Sequence, residues 1–165
     1  GCNIIAEDLG VITEEVNQLR NEAKLPGMKI LQFAFNLKDG KLEAGHMYLP
    51  HNYAANCVAY TGTHDNQTSR GWYNCQDDVM KDAVRRYLQS PDEDIVWQMM
   101  RSLLASHAKY VVFPMQDVIG LDDEARMNKP STVGSSNWSW RFNPDSLQPW
   151  MLARLKELIT LYGRN

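Results

Sequence analysis

Two acidic residues stand where a pair of catalytic carboxylates could form, each directly after an apolar run of the chain. Glu7 follows Ile4–Ala6, and Asp65 follows the run 57–61 with His64 beside it. In a parallel α/β sheet the carboxyl ends of the strands face the ligand side, so residues after different strands can meet there. One protonated and one ionised carboxyl group suit acid/base or glycosyl chemistry. We therefore expect Glu7 and Asp65 to converge.

The same residues have simpler interpretations, which the sequence leaves open. Glu7 or Asp8 could cap the following helix, because acidic side chains favour that position. His64 and Asp65 could form a buried polar pair that braces a loop. A metal site is disfavoured, because no two histidines share a ligand spacing. We expect neither a metal nor an organic cofactor.

Four aromatic residues lie in or beside polar segments rather than on helical stripes. They are Trp72, Tyr73, Trp138 and Trp140. Flat aromatic faces together with Asn, Gln and Asp side chains suit sugars, which present an apolar face and a rim of hydroxyl groups. A purely structural role, in which the ring fills the end of a barrel, is the alternative for Trp140.

Short apolar runs alternate with helical patterns, which predicts an α/β fold with a parallel sheet. Their nearly continuous apolar character is typical of strands that are covered on both faces. The predicted strands are Asn3–Ala6, Met28–Phe35, Cys57–Thr61 and Tyr110–Pro114.

Helices are predicted from capping residues and from apolar spacing. One begins after Thr13, a second covers 77–89, and a third follows Ser90-Pro91 with an apolar stripe typical of a core. A last helix covers 146–162. The intervening segments 36–56 and 120–143 are polar and are interpreted as long loops.

Composition excludes several classes of protein. The 165 residues carry 17 basic and 20 acidic side chains, a net charge of −3, with no Lys/Arg run that could follow a phosphate backbone. No stretch approaches the length of a membrane span. We expect neither nucleic-acid nor membrane binding. Three widely spaced cysteines favour a reducing compartment, which means the cytoplasm, or the plastid stroma if the source is a plant or alga.

Longer motifs, found in one order along nearly the whole chain, resemble the 4-α-glucanotransferases, the amylomaltases of glycoside hydrolase family 77. The motifs are Ile5–Thr13, Pro26–Phe35, Leu49–Asn52, Tyr60–Asn66 with Gly71-Trp72, Pro114–Asp117 with Gly120-Leu121, Ala125–Asn128 and Asn137–Arg141. One departure is Ser131, where many members carry glycine.

The resemblance implies a retaining transglycosylase on a (β/α)8 barrel related to the α-amylases. Glu7 matches the general acid/base, and Asp65 matches the aspartate that stabilises the transition state. The substrates implied are α-1,4-glucans and maltooligosaccharides. Substrate contacts are expected from His64, Asn66, His51, Asn52, Asn137 and Trp138.

The third catalytic group of the family is a nucleophilic aspartate on the preceding barrel strand. Only six residues precede Glu7 and none is acidic, so we expect this chain alone to lack transferase activity. A barrel of this class needs about 250 residues. Residues 1–165 are therefore expected to be the C-terminal half of one barrel domain, with about four βα units and no second domain.

Three alternatives remain at this point. The first is a hydrolytic relative in the α-amylase superfamily. The second is a half-barrel without catalysis, which binds glucan or self-associates through its open sheet edges. The third is an unrelated open α/β domain, in which Glu7 and Asp65 would lie far apart.

Overall fold

A three-stranded parallel sheet organises the chain. A computed structural model describes residues 4–164. The strands β1 (Gly27–Ile30), β4 (Cys57–Tyr60) and β5 (Tyr110–Val112) lie in the order β1-β4-β5. Gly27 is aligned with Cys57, and Val58 is aligned with Tyr110, so the strands end at nearly the same level. This confirms the predicted α/β class.

Six helices surround this sheet in the described residues. The two helices that lie in the predicted helical segments 77–89 and after Ser90-Pro91 supply much of the core with their apolar faces. The helices are α1 (Glu14–Glu22), α2 (Ser69–Asn74), α3 (Asp78–Leu88), α4 (Ile95–Leu104), α5 (Met115–Ile119) and α6 (Pro149–Leu161).

The helix boundaries follow local capping chemistry. Asp77 caps α3, since its carboxylate accepts a hydrogen bond of 2.8 Å from the backbone N–H of Met80. Thr13 occupies the N-cap position of α1, as predicted. The predicted cap at Ser90 is wrong. The Ser90 hydroxyl donates to the carbonyl of Pro91, a 3₁₀ turn follows, and α4 starts only after Asp94.

The core lies between the sheet and the helices α3 and α4. The predicted apolar stripe of α4 is buried along its whole length. Val84 and Leu88 of α3 pack against it with Ala59 of β4. Burial of these side chains, at roughly 25 cal/mol per Å² of apolar surface, is the main force that holds the helices on the sheet.

Two of the predicted strands differ from the structure. The apolar run from Met28 remains a strand only to Ile30, and Leu31–Ala34 continue as a buried 3₁₀ turn. An apolar run of this length does not distinguish a strand from a buried helical turn. Ile4–Ala6 form no strand, because Ala6 donates a single backbone hydrogen bond to Pro26 and no ladder follows. Asn3 lies outside the described residues.

The described residues therefore contain three parallel strands rather than four. The strand β5 is at one edge, and Tyr110 and Val112 are each 43% exposed. The prediction that each strand is covered on both faces is wrong for β5, because no further strand or helix of the described residues covers those side chains. No helix within residues 4–164 is both long and apolar enough to cross a bilayer.

The segment 36–56, predicted as a long loop, contains ordered structure. The strands β2 (Leu37–Lys38) and β3 (Lys41–Leu42) form a short antiparallel hairpin, and Pro50–Asn52 form a 3₁₀ turn. Tyr53 anchors the segment, since its side chain is buried and its hydroxyl donates to the carbonyl of Tyr48 at 2.8 Å.

Charged side chains fasten α6 to the remainder of the fold. Arg154 donates two hydrogen bonds, of 2.5 and 2.7 Å, to the carboxylate of Asp94. After the helix, Arg164 donates to the carbonyl oxygens of Leu104 and Ala108 at 2.9 and 2.5 Å. Because these carbonyls lie at the end of α4 and before β5, Arg164 joins three elements.

The pair of Arg154 and Asp94 gives α6 a pH-dependent attachment. Hydrogen bonds from Arg154 hold the pKa of Asp94 below its ordinary value. The pair therefore stabilises the fold above the unfolded-state pKa of about 3.9, and this contribution is lost as the pH falls through the lower folded-state value. We expect Asp94→Asn to lower the free energy of unfolding by about 1–2 kcal/mol at neutral pH, and to change it little at about pH 2.

Urea unfolding at both pH values measures this difference. The control is Glu157→Gln, which removes one carboxylate from the exposed part of the same helix. A loss of stability in Asp94→Asn that is equally large at acidic and neutral pH would contradict the assignment.

Candidate active site

A groove of about 700 Å³ lies at the carboxyl ends of the strands. Its walls are largely apolar, with Met28, Phe33 and Phe113 among them, and the acidic residues that line it are Glu7 and Asp65. The structure thus brings together the two carboxylates that the sequence predicts to converge. It also places His64 beside Asp65 in the same groove.

Glu7 is held by its neighbours on either side, and its own side chain is exposed. Asp8 accepts a 2.6 Å hydrogen bond from the backbone N–H of Met28 and forms an ion pair with Arg20. Ala6 donates to the carbonyl of Pro26 at 3.0 Å. The two contacts fasten the Glu7 segment to the start of β1.

The alternative in which Glu7 or Asp8 caps the following helix is therefore wrong. The N-cap position of α1 is Thr13, several residues further along the chain. The carboxylate of Asp8 is engaged with β1 and α1 at once, because Arg20 lies in the last turn of α1. Glu7 remains available to the groove.

A tight turn follows β4 and presents the next functional residues. The side-chain oxygen of Asn66 accepts hydrogen bonds from the backbone N–H and the hydroxyl of Thr63, at 2.9 and 2.8 Å. The backbone N–H of Asn66 also donates to the carbonyl of Thr63 at 3.1 Å, which closes a four-residue turn. Asn66 lines the groove, its contact with substrate stays a prediction, and this bonding gives its side-chain oxygen a structural role.

Asp65 is fixed by two residues to which sequence reasoning assigned no role. Asn128 donates a 2.6 Å hydrogen bond to Oδ1 of Asp65, and Arg126 donates to its backbone carbonyl at 2.7 Å. His64 Nε2 lies 3.4 Å from the same Oδ1. The only feature of the sequence that could have indicated a role for these two residues is the motif Ala125–Asn128, which contains both. Their contact with Asp65, more than 60 positions away, cannot be inferred from spacing.

Trp138 lies against the histidine of this loop. Its ring centroid is 5.0 Å from that of His64, and its backbone N–H donates to the carbonyl of Met127 at 2.7 Å. Trp138 has a φ of +62°, in the left-handed region that a bulky residue adopts at some cost. Trp138 is 55% exposed and is not among the residues that line the groove, so it adjoins the groove through its contact with His64.

The segment before Trp138 contains a second left-handed residue. Ser131 has a φ of +62°, the conformation that glycine adopts without strain. Ser131, which stands where many family members carry glycine, therefore adopts the left-handed conformation that a glycine would adopt there.

Three predicted binding residues lie elsewhere. His51 bonds to the hydroxyl of Tyr87 and to the carbonyl of Ala44, both at 2.9 Å, and Asn52 also donates to Ala44. These two residues brace the segment 36–56. Asn137 lines a separate, smaller pocket of about 330 Å³.

The other aromatic residues also have structural positions. Tyr73 is 2% exposed, and Trp72 packs on Phe35 with ring centroids 5.4 Å apart. Both lie on α2, so the prediction that they lie off the helices is wrong. Trp140 is half-buried and lines the smaller pocket together with Asn137.

The groove offers acid/base groups together with a neutral phenol. Burial raises the pKa of Tyr60, which keeps its hydroxyl protonated at neutral pH. Two carboxylates, a histidine and apolar walls form a surface that matches the polar rim and apolar face of a sugar. Within residues 4–164, no group of three or more His, Cys, Asp and Glu side chains is arranged to hold a metal ion.

Comparison with known proteins identifies the class to which this site belongs. A family model described as 4-alpha-glucanotransferase matches residues 1–148. The chain belongs to the 4-α-glucanotransferase family, glycoside hydrolase family 77.

Relatives in this family are considerably longer than the chain. It is 44% identical to the 4-α-glucanotransferase of Synechocystis over 98% of its own length and 31% of the relative's. It is 45% identical to the Thermus thermophilus protein, and that match covers 94% of this chain and 31% of the relative. The Arabidopsis thaliana relative, whose name describes it as chloroplastic/amyloplastic, is 46% identical. That match covers 98% of this chain and 28% of the relative. The chain thus spans about 31% of the first of these relatives, and the matches do not support the expected C-terminal position within them.

Solved structures share the same arrangement. The amylomaltase of Streptococcus agalactiae, determined in complex with acarbose, superposes with a TM-score of 0.88 at 37% identity. That match covers 96% of this chain and 31% of the solved one. The amylomaltase of Corynebacterium glutamicum has a TM-score of 0.61 at 14% identity, over 94% and 27% of the two chains, and shows the fold alone.

The contacts of Asp8 predict which acidic residue holds this segment in place. Asp8→Ala leaves the N–H of Met28 and the guanidinium of Arg20 without their acceptor, at a cost of about 1–3 kcal/mol. We expect the amide of Met28 to exchange faster with deuterium. Glu7→Ala is the matched control, since its exposed side chain does not hold β1. Equal exchange rates at Met28 in the two variants would contradict this account.

Proposed function

We propose that the groove is part of the active site of a retaining 4-α-glucanotransferase, which moves α-1,4-glucan segments to acceptor glucans or glucose. The observation that carries this proposal is the presence of Glu7 and Asp65 in one groove, in a chain that belongs to this family. The Streptococcus agalactiae amylomaltase, whose fold this chain shares, was solved in complex with acarbose. The apolar walls suit the faces of glucose rings.

Glu7 is the general acid/base in this proposal. Its exposed carboxyl group donates a proton to the glycosidic oxygen that leaves, and the resulting carboxylate then takes the proton from the 4-hydroxyl of the acceptor. Because Ala6 and Asp8 are both fixed on β1, the Glu7 carboxyl is presented from a rigid segment. Rigid presentation favours proton transfer in one geometry.

Asp65 stabilises positive charge on the donor sugar. The bond from Asn128 occupies Oδ1 and orients the carboxylate, which leaves Oδ2 to accept sugar hydroxyl groups. His64 and Trp138 bind the same sugar or its neighbour along the open aromatic face. A preorganised charge of this kind lowers the barrier because it needs no reorientation during the reaction.

A retaining reaction also needs a carboxylate that attacks the anomeric carbon. In the described residues the acidic side chains that line the groove are Glu7 and Asp65, and both already have roles. We therefore assign the nucleophile to no residue of this chain. Residues 1–165 are inferred to be one part of a single (β/α)8 barrel domain, in which the strand ends carry the site.

The roles of the two carboxylates are tested in a protein that spans the full length of the relatives. Incubation with maltotriose is expected to produce glucose together with longer oligosaccharides. We expect Glu7→Gln and Asp65→Asn each to slow the transfer by at least about 100-fold. The control is Glu14→Gln, on the exposed first turn of α1.

Three outcomes would contradict the proposal. Full activity in either variant would remove that residue from the mechanism. Formation of longer oligosaccharides by residues 1–165 alone would show that a nucleophile is present in the chain. An excess of glucose over longer products would favour a hydrolase instead.

The open indole gives a prediction for binding. Trp138→Ala removes the aromatic face beside His64, and we expect the affinity for acarbose to fall by about 3- to 10-fold, or about 1 kcal/mol. Isothermal titration calorimetry measures the change. Trp150→Ala is the matched control, since Trp150 is 52% exposed on α6 and lies against Trp97 rather than against His64 of the groove. An equal effect of both substitutions would contradict a specific role for Trp138.

A further inference from the structure

The loop between β4 and α2 carries His64 and Asp65, and both of its ends are held by buried polar side chains. Thr61 at its start and Ser69 at its end are each fully buried. The residues that hold them come from opposite sides of the sheet. Gln32 follows β1, and Asp117 lies in α5 after β5.

Asp117 holds the two ends of the loop together. Its side chain is 1% exposed. Oδ1 accepts a 2.8 Å hydrogen bond from the backbone N–H of Ser69, and Oδ2 accepts one of 2.6 Å from the Ser69 hydroxyl. The hydroxyl of Thr61 donates to the same Oδ2. A single carboxylate therefore bridges the first and last residues of the loop.

The burial of Asp117 is unfavourable for its charge. Burial raises the pKa of this carboxyl group, while the hydrogen bonds from Ser69 and Thr61 oppose the shift. An apolar residue of similar volume would avoid this desolvation. The carboxylate offers what an apolar residue lacks, which is directional bonds to three donors at fixed positions.

Gln32 holds the loop from the other side. Its side chain is 6% exposed, and its amide donates to the carbonyl of Gln67 at 3.0 Å. Its backbone N–H donates to the carbonyl of Thr61 at 3.3 Å. The amide passes so close to Gly62 that a Cβ there would lie 2.6 Å from Nε2 of Gln32. Only glycine fits at residue 62 while the amide keeps this position.

We propose that Gln32 and Asp117 are positioning residues, which act on the reaction by setting where the loop holds Asp65 in the groove. This inference rests on the proposed function of Asp65. Asp117 does not line the groove, and the amide of Gln32 is directed at the loop backbone rather than at a substrate. Together they hold the loop at Thr61, Gln67 and Ser69, and the Thr63–Asn66 turn between these points is closed by its own hydrogen bonds.

A displacement of the loop would change catalysis more than stability. Misplacement of a catalytic group by about 1 Å can lower a rate by about 100-fold. The substitutions that test this are Gln32→Met, which keeps the side-chain length and removes the amide, and Asp117→Leu, which removes the carboxylate. Asp117→Asn keeps the shape and can still bond to both hydroxyl groups, so it is expected to restore most of the function.

The first measurement is nuclear magnetic resonance of the 165-residue chain. We expect Gln32→Met and Asp117→Leu to shift the backbone amide signals of His64 and Asp65 and the indole N–H signal of Trp138, which stacks on His64. Asp117→Asn should leave these signals near their original positions. Asp94→Asn is the matched control, since it removes a partly buried carboxylate that holds α6 and not the loop.

The second measurement is the rate of transfer in a protein that spans the length of the relatives. We expect kcat to fall by at least about tenfold in Gln32→Met and in Asp117→Leu, with a smaller change in KM. Asp94→Asn should keep both constants. A purely structural role would instead lower the melting temperature and leave kcat unchanged at temperatures where the variant is folded.

The outcomes separate this inference from the proposed function. Unchanged loop signals in a folded Gln32→Met variant would overturn the inference, and this result does not depend on any activity. Shifted loop signals with an unchanged kcat would also overturn it. If the unsubstituted full-length protein produces no longer oligosaccharides, the proposed function fails, while the resonances still report whether the two residues hold the loop. If Asp117→Leu does not fold, Gln32→Met provides the same test.

Discussion

The burial of β4 is the constraint on which the rest of the structure depends. Its residues Cys57, Val58 and Ala59 are at most 3% exposed, and its backbone is bonded to β1 on one side and to β5 on the other. Because β4 pairs with both neighbours, its last residue Tyr60 is aligned with Ile30 of β1 and Val112 of β5, so the three strands end side by side. The polar groups that follow it, beginning with Thr61, must find partners inside the protein. Those partners come from the two neighbouring strand ends, which is why the site forms there.

Much of this arrangement could be predicted from local sequence. The Thr13 N-cap position of α1 and the apolar stripe of α4 each depend on residues a few positions apart, and the structure confirms both. The strand rule accounts for Asp65, which lies in the loop after β4. Glu7 reaches the same groove for another reason, because Ile4–Ala6 form no strand and the bonds of Ala6 and Asp8 to Pro26 and Met28 hold its segment there.

The remainder depends on contacts that sequence spacing does not encode. Asn128 reaches Asp65 from 63 residues away, and nothing in its own surroundings indicates that contact. His51 and Asn52 carry suitable chemistry and remain exposed, but their side chains bond to the carbonyl of Ala44 in their own segment. Trp138 reaches His64 only through a left-handed backbone conformation, which propensity disfavours for a bulky residue. The contacts of Asn128 and Trp138 depend on long-range packing, whereas those of His51 and Asn52 with Ala44 stay within one segment.

The central claim is that the groove between Glu7 and Asp65 holds an α-1,4-glucan, with Asp65 kept in place by its neighbours. A crystal structure of the chain with bound acarbose tests it most directly. The account predicts that the sugar rings lie in the groove between the two carboxylates, and that Asp65 remains bonded to Asn128. Acarbose bound only on the outer surface, or an empty groove at saturating concentration, would contradict it.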